Sequence, residues 1–566
     1  MKRVGVFLHK YFVPLILLWV LVCSLFLAWN MSMTTDEGIH TASAYLALTR
    51  GEHRFDPEHP FLYKYLTAIP LVIMRPNPPV DDQRLWDTAS PIMYDSWAEA
   101  RSWTDHWFYT SDNNAQLMIF LARLAGVATL LGLCFTVYKL GTLWFSERVG
   151  RWALFFAAFN PTLLAHGSMT NDDVAMAFAG LLALWALWLY KEKPSIKQAI
   201  WVGVGLGAAV TTKFSAIYFM PVALFWMIYL VVTKRVAWKV ALRDTLFALV
   251  TIWAFIWIVY FGSSPMDLST PENQPQAGFI VSQIQKVMNT LHLNYYTTIR
   301  IVHDILPSNF TKGMLLTVGS SYYGRATYLL DKHLASGVWY YFPVLFLLKT
   351  QLVALMLGVV GIWMSFKTSV KKWQPITFLL GFTALVIAAI SIKSKLNLGI
   401  RHISPLLVIF AFVCGVVIVY LQKKITWKYL GVLVAILYVL PVIMQLHNLI
   451  GFSNIFIPDK SQTFKYFDDS NLDWGQQVHA IVAYVKNDLN DAHVYSNFSW
   501  NPYALAYFDV HATNFNPEGY LDGTYIVTAT ELDQSEFLRF RSEKPTKVID
   551  TATFAYTFRD NKNLAE

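Results

Sequence analysis

Apolar runs dominate this chain and recur from one end to the other. They fall near residues 11–30, 117–138, 152–168, 173–190, 197–212, 214–232, 241–262, 338–364, 376–392, 400–420 and 428–446. Each approaches the ~20 residues that cross about 30 Å of hydrocarbon, which predicts about eleven membrane-spanning helices. The polar pieces between them alternate in character. Every second one is short and basic, carrying Lys2, Arg3 and Lys10; Lys139, Arg148 and Arg151; Lys191, Lys193 and Lys197; Lys234, Arg235, Lys239 and Arg243; Lys367, Lys371 and Lys372; or Lys423, Lys424 and Lys428. Basic residues collect on the cytoplasmic side. The pattern therefore predicts an odd number of spans, the N-terminus inside and the C-terminus outside, in a multi-pass protein of the plasma (inner) membrane.

The segments left for the outer side are long. Residues 31–116 hold Trp86, Trp97, Trp103 and Trp107, which suit a headgroup boundary. Residues 263–337 form a second such loop, and loops of that length carry function or their own helices. The expected organisation is a membrane domain over 1–446 and a small extracytoplasmic α/β domain over 447–566. In the latter, residues 473–488 have helical apolar spacing, and Ala492–Tyr495, Tyr525–Thr528 and Lys547–Ile549 read as short strands. The apolar N-terminal run is too long for a signal peptide, so it is expected to stay as the first span.

Composition agrees. Hydrophobic residues make up 55% and charged residues 14%, and the mean hydropathy is +0.39. The net charge of +8 arises largely in the orienting loops and implies no nucleic-acid partner. Cys23, Cys134 and Cys414 lie in apolar spans and read as core residues. No phosphate-binding lysine loop or dinucleotide turn is present. No internal repeat is visible either, which weakens a transporter reading.

The candidate chemistry collects on one side. Asp36 and Glu37 follow the first span; as ordinary residues they would cap a helix. Asp172 and Asp173 precede the fourth span, where capping explains one carboxylate better than two. Arg325 lies in the second outer loop, and Arg401 and His402 open the tenth span. His402 alone more often has a structural role, and Lys349 can snorkel. Glu58-His59-Pro60-Phe61-Leu62-Tyr63-Lys64 offers two metal ligands, Glu58 and His59, and a phosphate partner, Lys64. Two ligands do not make a metal site, and an interfacial helix beginning at Pro60 accounts for the same residues. Asn309-Phe310-Thr311 and Asn497-Phe498-Ser499 match the glycosylation pattern.

Taken in order, these pieces resemble the membrane glycosyltransferases that use a polyprenyl-phosphate sugar. That family includes the protein O-mannosyltransferases of glycosyltransferase family 39 and the lipid A aminoarabinose transferases. Asp36-Glu37 matches the Asp-Glu of the family's first outer loop. His59 to Lys64 resembles its His-Pro-Pro-Leu-x-Lys run, with Phe61 in place of the second proline. Thr170-Asn171-Asp172 resembles its Thr-x-Asp. Trp339 to Pro343 with Leu348-Lys349-Thr350, then Gly399 to Pro405, then Asn471 to Gln476, resemble segments of bacterial members; Gln351 departs from the usual proline.

The resemblance implies an all-α polytopic C-type fold with its site at the outer leaflet. It implies Asp36 as the general base for an acceptor hydroxyl and Glu37 as a catalytic partner that orients the site or the acceptor. The donor phosphate would meet Arg401, Lys64, Arg325 and His402. Asp172, Asp173 and His59 would contact substrate. A metal near Glu58 and His59 is implied by the zinc of the aminoarabinose transferases; no other cofactor is expected. The partners expected are the lipid-linked donor, membrane lipids, and a protein, lipid or glycan acceptor. The competing class is a multi-span transporter or lipid flippase that breaks no bond.

Overall fold

The computed structural model describes residues 2–53, 55–79, 82–84, 97–263, 288–289, 292–294, 305–367, 374–425, 429–490, 493–498, 503–517 and 522–558. Trp86, Ala492 and Ser499, and nearly half of the 263–337 loop, lie outside these residues. Among the described residues, seven helices are long and apolar enough to cross a membrane. A pair of helices, Tyr341–Lys349 and Leu352–Lys367, bent by 120° at the break between them, is long and apolar enough only when taken together.

The eleven predicted spans are thus redistributed, for local reasons. The stretch 152–168 becomes two short helices, Glu147–Ala158 and Pro161–Gly167. Asn160 caps the second with its side chain, and Pro161 sits at its first position, where a missing N–H costs nothing. The stretch 197–212 forms the 17-residue helix Ile196–Thr212, and 428–446 forms the 15-residue Leu430–Met444. Phe61–Met74 adds a short apolar helix that the span pattern omits.

Five helices frame the segment that carries Asp36, Glu37 and His59. α1 (Lys2–Asn30) crosses the membrane and hands the chain to α2 (Thr35–Arg50). α3 is Phe61–Met74, α4 is Trp97–Tyr109 and α5 is Ala115–Trp144. α2 packs on α3 and α4, and α5 packs on α1 and α3. Trp103 and Trp107 of α4 do not sit at a headgroup boundary. They are buried against each other and against Phe55 and Tyr45. This core under the first long segment is large enough to bury the rings completely. The main apolar core runs through the spanning helices. It includes Cys23, Cys134 and Cys414, all buried and unbridged.

The turn before residue 172 approaches α5 closely. On α5, a Cβ on Gly126 would lie 2.4 Å from the Met169 carbonyl and 2.9 Å from that of Gly167. Absence of the side chain lets the turn at 167–171 lie on the helix.

The chain after residue 447 holds five strands, β1 (Val494–Ser496), β2 (Ala512–Thr513), β3 (Gly523–Thr528), β4 (Lys547–Asp550) and β5 (Thr553–Phe558). They form one sheet ordered β2-β1-β3-β5-β4. β1 is parallel to β2 and β3, whereas β5 is antiparallel to β3 and β4. The helix expected over 473–488 begins only at Val478, because Gly475 takes φ +89° and turns the chain first. That turn docks on the α1–α2 junction. Ser32 N–H donates to the Gln476 carbonyl (3.1 Å) and Thr35 N–H to that of Trp474 (2.9 Å). The long segment after α1 and the C-terminal region therefore lie on the same side of the bundle. Asn309 is buried, which keeps the first glycosylation pattern out of reach of a modifying enzyme.

Candidate active site

Adjacent carboxylates at the start of α2 have opposite fates. Thr34 is the N-cap, and Glu37, three residues on, accepts from the Thr34 N–H at 3.0 Å. Glu37 also receives Thr170 N–H at 2.9 Å and a two-pronged contact from Arg123, Nε at 2.8 Å and Nη2 at 2.5 Å. The rest of the Arg123 guanidinium donates to the carbonyls of Ala28, Met31 and Ser32. Both side chains are fully enclosed. Burial works against the Glu37 carboxylate, but Arg123 and the two threonine N–H groups outweigh it and hold the carboxyl below its ordinary value. Glu37 is thus the capping residue and a brace between α1, α2, α5 and the turn before residue 172. Of its two expected roles, only orienting the site fits this placement, since it does not line the cavity described next.

Asp36 faces the other way. It is about one-fifth exposed, and its Oδ2 lies 3.3 Å from Arg401 Nη2. Both line a cavity of about 1090 Å³. Arg401 is fixed from three directions. Its guanidinium stacks 3.8 Å above the Trp474 ring, its Nε is 3.6 Å from Asp173, and Asp36 takes one edge.

Asp172 and Asp173 begin the helix Asp172–Glu192, but the cap is Asn171, whose side chain accepts from the Asp173 N–H at 2.8 Å. Both carboxylates are therefore left for side chains. Lys213 Nζ reaches Asp172 at 2.6 Å and Asp173 at 2.9 Å. Asp172 also meets His59 Nδ1 at 2.8 Å. Asp36, Asp172, Asp173, His59, Arg325, Arg401 and His402 all line the cavity, so the structure brings together most of the residues singled out in the sequence.

Lys64 is an exception. Pro60 starts α3, and one turn later Lys64 points back to Asp56 (2.7 Å to Oδ2, 2.8 Å to the carbonyl) and Ser43. It is buried outside the main cavity, so it does not present its charge to a phosphate there. Lys349 does not snorkel either. It is buried and donates to the carbonyls of Ile450, Phe452 and Asn471.

The expected metal pair does not form. Glu58 meets Arg325 at 2.8 Å, while His59 turns to Asp172. Among the described residues a different trio converges, His40, Asp56 and His59, with ligand atoms within 4.8 Å of one another. His40 Nδ1 already lies 2.7 Å from Asp56, and Lys64 supplies that carboxylate with a cation. Burial opposes the Asp56 charge, yet Lys64, His40 and His59 hold the carboxyl well below its usual range. Burial likewise opposes a charged His59, but Asp172 and Asp56 raise its pKa. Within this group the charge of Asp56 is already matched by Lys64 and His40.

Sequence reasoning missed Lys213, Arg123, His40, Asp56 and Asp469. Lys213 and Arg123 carry a signal, a lone charge in or between apolar runs. Asp469 lines the cavity. Burial pushes its carboxyl up to about 6, while Arg401 and Arg325 pull it down and Asp36 adds to the rise. The rim holds Lys393 and Lys395, and Ile217, Val318 and Ile390 expose apolar surface beside it. Arg325 reaches the rim because Gly324, at φ +78°, ends the helix Ser308–Tyr323 against Lys395, whose carbonyl would sit 2.5 Å from a Cβ.

Residues 107–260, the stretch that carries Arg123, Asp172, Asp173 and Lys213, match the model of the dolichyl-phosphate-mannose-protein mannosyltransferase family. No curated protein matches the chain. Among solved structures, the apo oligosaccharyltransferase of Archaeoglobus fulgidus is similar with a TM-score of 0.50 at 12% identity, over 92% of this chain and 70% of that one. ArnT from Cupriavidus metallidurans bound to undecaprenyl phosphate gives 0.49 at 11% identity, over 96% and 97%. The fold is that of the C-type membrane glycosyltransferases, as the sequence leads one to expect, and the protein is multi-pass.

Proposed function

We propose that this protein transfers a sugar from a polyprenyl-phosphate-linked donor to an acceptor hydroxyl at the outer face of the membrane, with Asp36 as the general base. The observation that carries this reading is the pairing of Asp36 with Arg401 at 3.3 Å on the wall of a large cavity. A carboxylate that can take a proton and a set of cations that can receive an anion share one space there. The matched mannosyltransferase family supports a lipid-phosphate donor.

In the reaction, the acceptor O–H gives its proton to the Asp36 carboxylate and its oxygen attacks the anomeric carbon. The bond from that carbon to the phosphate oxygen breaks, and polyprenyl phosphate leaves with the electron pair. One displacement inverts the anomeric configuration. Charge developing on the phosphate meets positive groups fixed before the reaction begins. Arg401 is the innermost of these, and Arg325, Lys393 and Lys395 form the rim. Lys213 keeps Asp172 and Asp173 paired, so the wall behind Arg401 does not add uncompensated negative charge. Ile217, Val318 and Ile390 give the carrier's apolar chain a path toward the bilayer. His402 and His59 line the space occupied by substrate.

The test is incubation of the purified protein in lipid nanodiscs with a panel of polyprenyl-phosphate sugars and a hydroxyl acceptor, octyl β-D-glucopyranoside or 1-octanol, reading release of polyprenyl phosphate. One donor is consumed by the native protein and not by Asp36→Asn. Full turnover by Asp36→Asn, or substrate uptake into sealed vesicles with no cleavage of any donor, overturns the assignment.

A further inference from the structure

One carboxylate on the cavity wall has no part in the chemistry above. Asp469 opens the tight turn Asp469–Asn471 with φ +56°, a left-handed conformation that Asp and Asn adopt more readily than other residues with side chains. Its surroundings hold the turn in place. The Ser470 N–H donates back to the Asp469 carboxylate, and Ser470 Oγ donates to the Leu398 carbonyl at 2.6 Å. Ile400 N–H donates to Asn471 Oδ1 at 3.0 Å, and Lys349 donates to the Asn471 carbonyl at 2.6 Å. The turn is therefore fixed to the segment that carries Arg401. It places a hydrogen-bond acceptor on the cavity wall within electrostatic reach of Asp36, Arg401 and Arg325.

We propose that Asp469 is an acceptor-binding residue, taking a hydrogen bond from a hydroxyl or amine next to the hydroxyl that Asp36 deprotonates. The acceptor is then a vicinal diol or amino alcohol, not an isolated alcohol. An ionised carboxylate only accepts hydrogen bonds, so its partner must be a donor group. Two features place that partner on the acceptor and not on the donor sugar. Asp469 lines the same cavity as Asp36, which the acceptor must touch. It is also carried by the segment leading to the C-terminal sheet, whereas the apolar path for the lipid runs past Ile217, Val318 and Ile390. The inference rests on the reading of Asp36 as the base.

The experiment uses the full chain in nanodiscs with the donor found above and two probe acceptors, octyl β-D-glucopyranoside and 1-octanol. The native protein prefers the glucoside. Asp469→Asn raises KM for the glucoside about tenfold or more, the effect of losing a hydrogen bond to a charged group. Its KM for octanol, its KM for donor and its kcat stay as they were. Asn tolerates the left-handed backbone; should the variant lose its thermal transition, Asp469→Gly removes the carboxylate without backbone strain. An equal rise for both alcohols marks Asp469 as a support for Arg401 and overturns the proposal. So does a rise confined to donor KM, an unchanged variant, or a native protein without preference for the glucoside. A native protein that consumes no donor overturns the functional reading itself, and this inference with it.

Discussion

Replacing each of the two neighbouring acids by its amide separates chemistry from architecture at a single peptide bond. Glu37→Gln removes the charge from a carboxylate that meets Arg123 at 2.5 and 2.8 Å, Thr34 N–H at 3.0 Å and Thr170 N–H at 2.9 Å, all inside the protein. The amide keeps one acceptor and turns an NH₂ toward groups that are themselves donors. Breaking one side of a buried pair costs about 3–5 kcal/mol. The Arg123 charge then remains enclosed with only the carbonyls of Ala28, Met31 and Ser32 as partners. Asp36→Asn, by contrast, loosens one 3.3 Å contact at a partly exposed position, worth about 1 kcal/mol or less. The expected result is a crossed pattern. Thermal unfolding in detergent shows a clear drop in midpoint for Glu37→Gln and little change for Asp36→Asn. Donor turnover below the transition falls about 10²–10⁴-fold for Asp36→Asn, the usual worth of a general base. The Glu37→Gln protein that remains folded keeps a measurable rate. A Glu37→Gln protein as stable as the native one, or an Asp36→Asn protein that unfolds early, refutes the division of labour.

Three further outcomes follow from the same structure. Lys213→Met leaves Asp172 and Asp173 enclosed without their ammonium and is expected to cost about 3–5 kcal/mol, read as a lowered thermal midpoint, together with loss of turnover. Gly126→Ala places a methyl group 2.4 Å from the Met169 carbonyl and is expected to destabilise by about 1–3 kcal/mol; retention of the native midpoint shows that the 167–171 turn can yield. Burial pushes the Asp533 carboxyl up to about 8, against about 4 in an unfolded chain. The folded protein then holds that proton more tightly, so the stability it contributes is complete below about pH 4 and is lost as pH rises to about 8. Asp533→Asn accordingly flattens the fall in thermal midpoint between pH 5 and pH 9, and an unaltered pH profile contradicts the assignment.

The class of fold was legible because hydrocarbon thickness sets a run length that a sequence cannot hide. The breaks within spans were less so. Asn160-Pro161 is a readable helix start, cap followed by proline, yet the apolar run continues across it and masks the stop. At Thr350-Gln351 nothing local announces a 120° bend. Sidedness carried the site a long way, since Asp36, Asp172, Arg325 and Arg401 come from distant segments and meet in one cavity. The partners of those residues were harder to see. Arg123 sits in the middle of an apolar stretch and Lys213 between two of them, where each looked incidental, although a charge in such a place has to be matched by another. His40 and Asp56 answer to Lys64 and His59 only once α2 and α3 are packed together. Glu37 and Asp36 look alike in the sequence; which one turns inward depends on Arg123, 86 residues further on.

The tryptophan beneath Arg401 comes from beyond the last membrane helix. A ribosome making this protein must therefore finish all the intramembrane helices, and a stretch beyond them, before the arginine has its platform. Chains cut short before Trp474 would hold Asp36 and most of the cavity lining but an unsupported guanidinium.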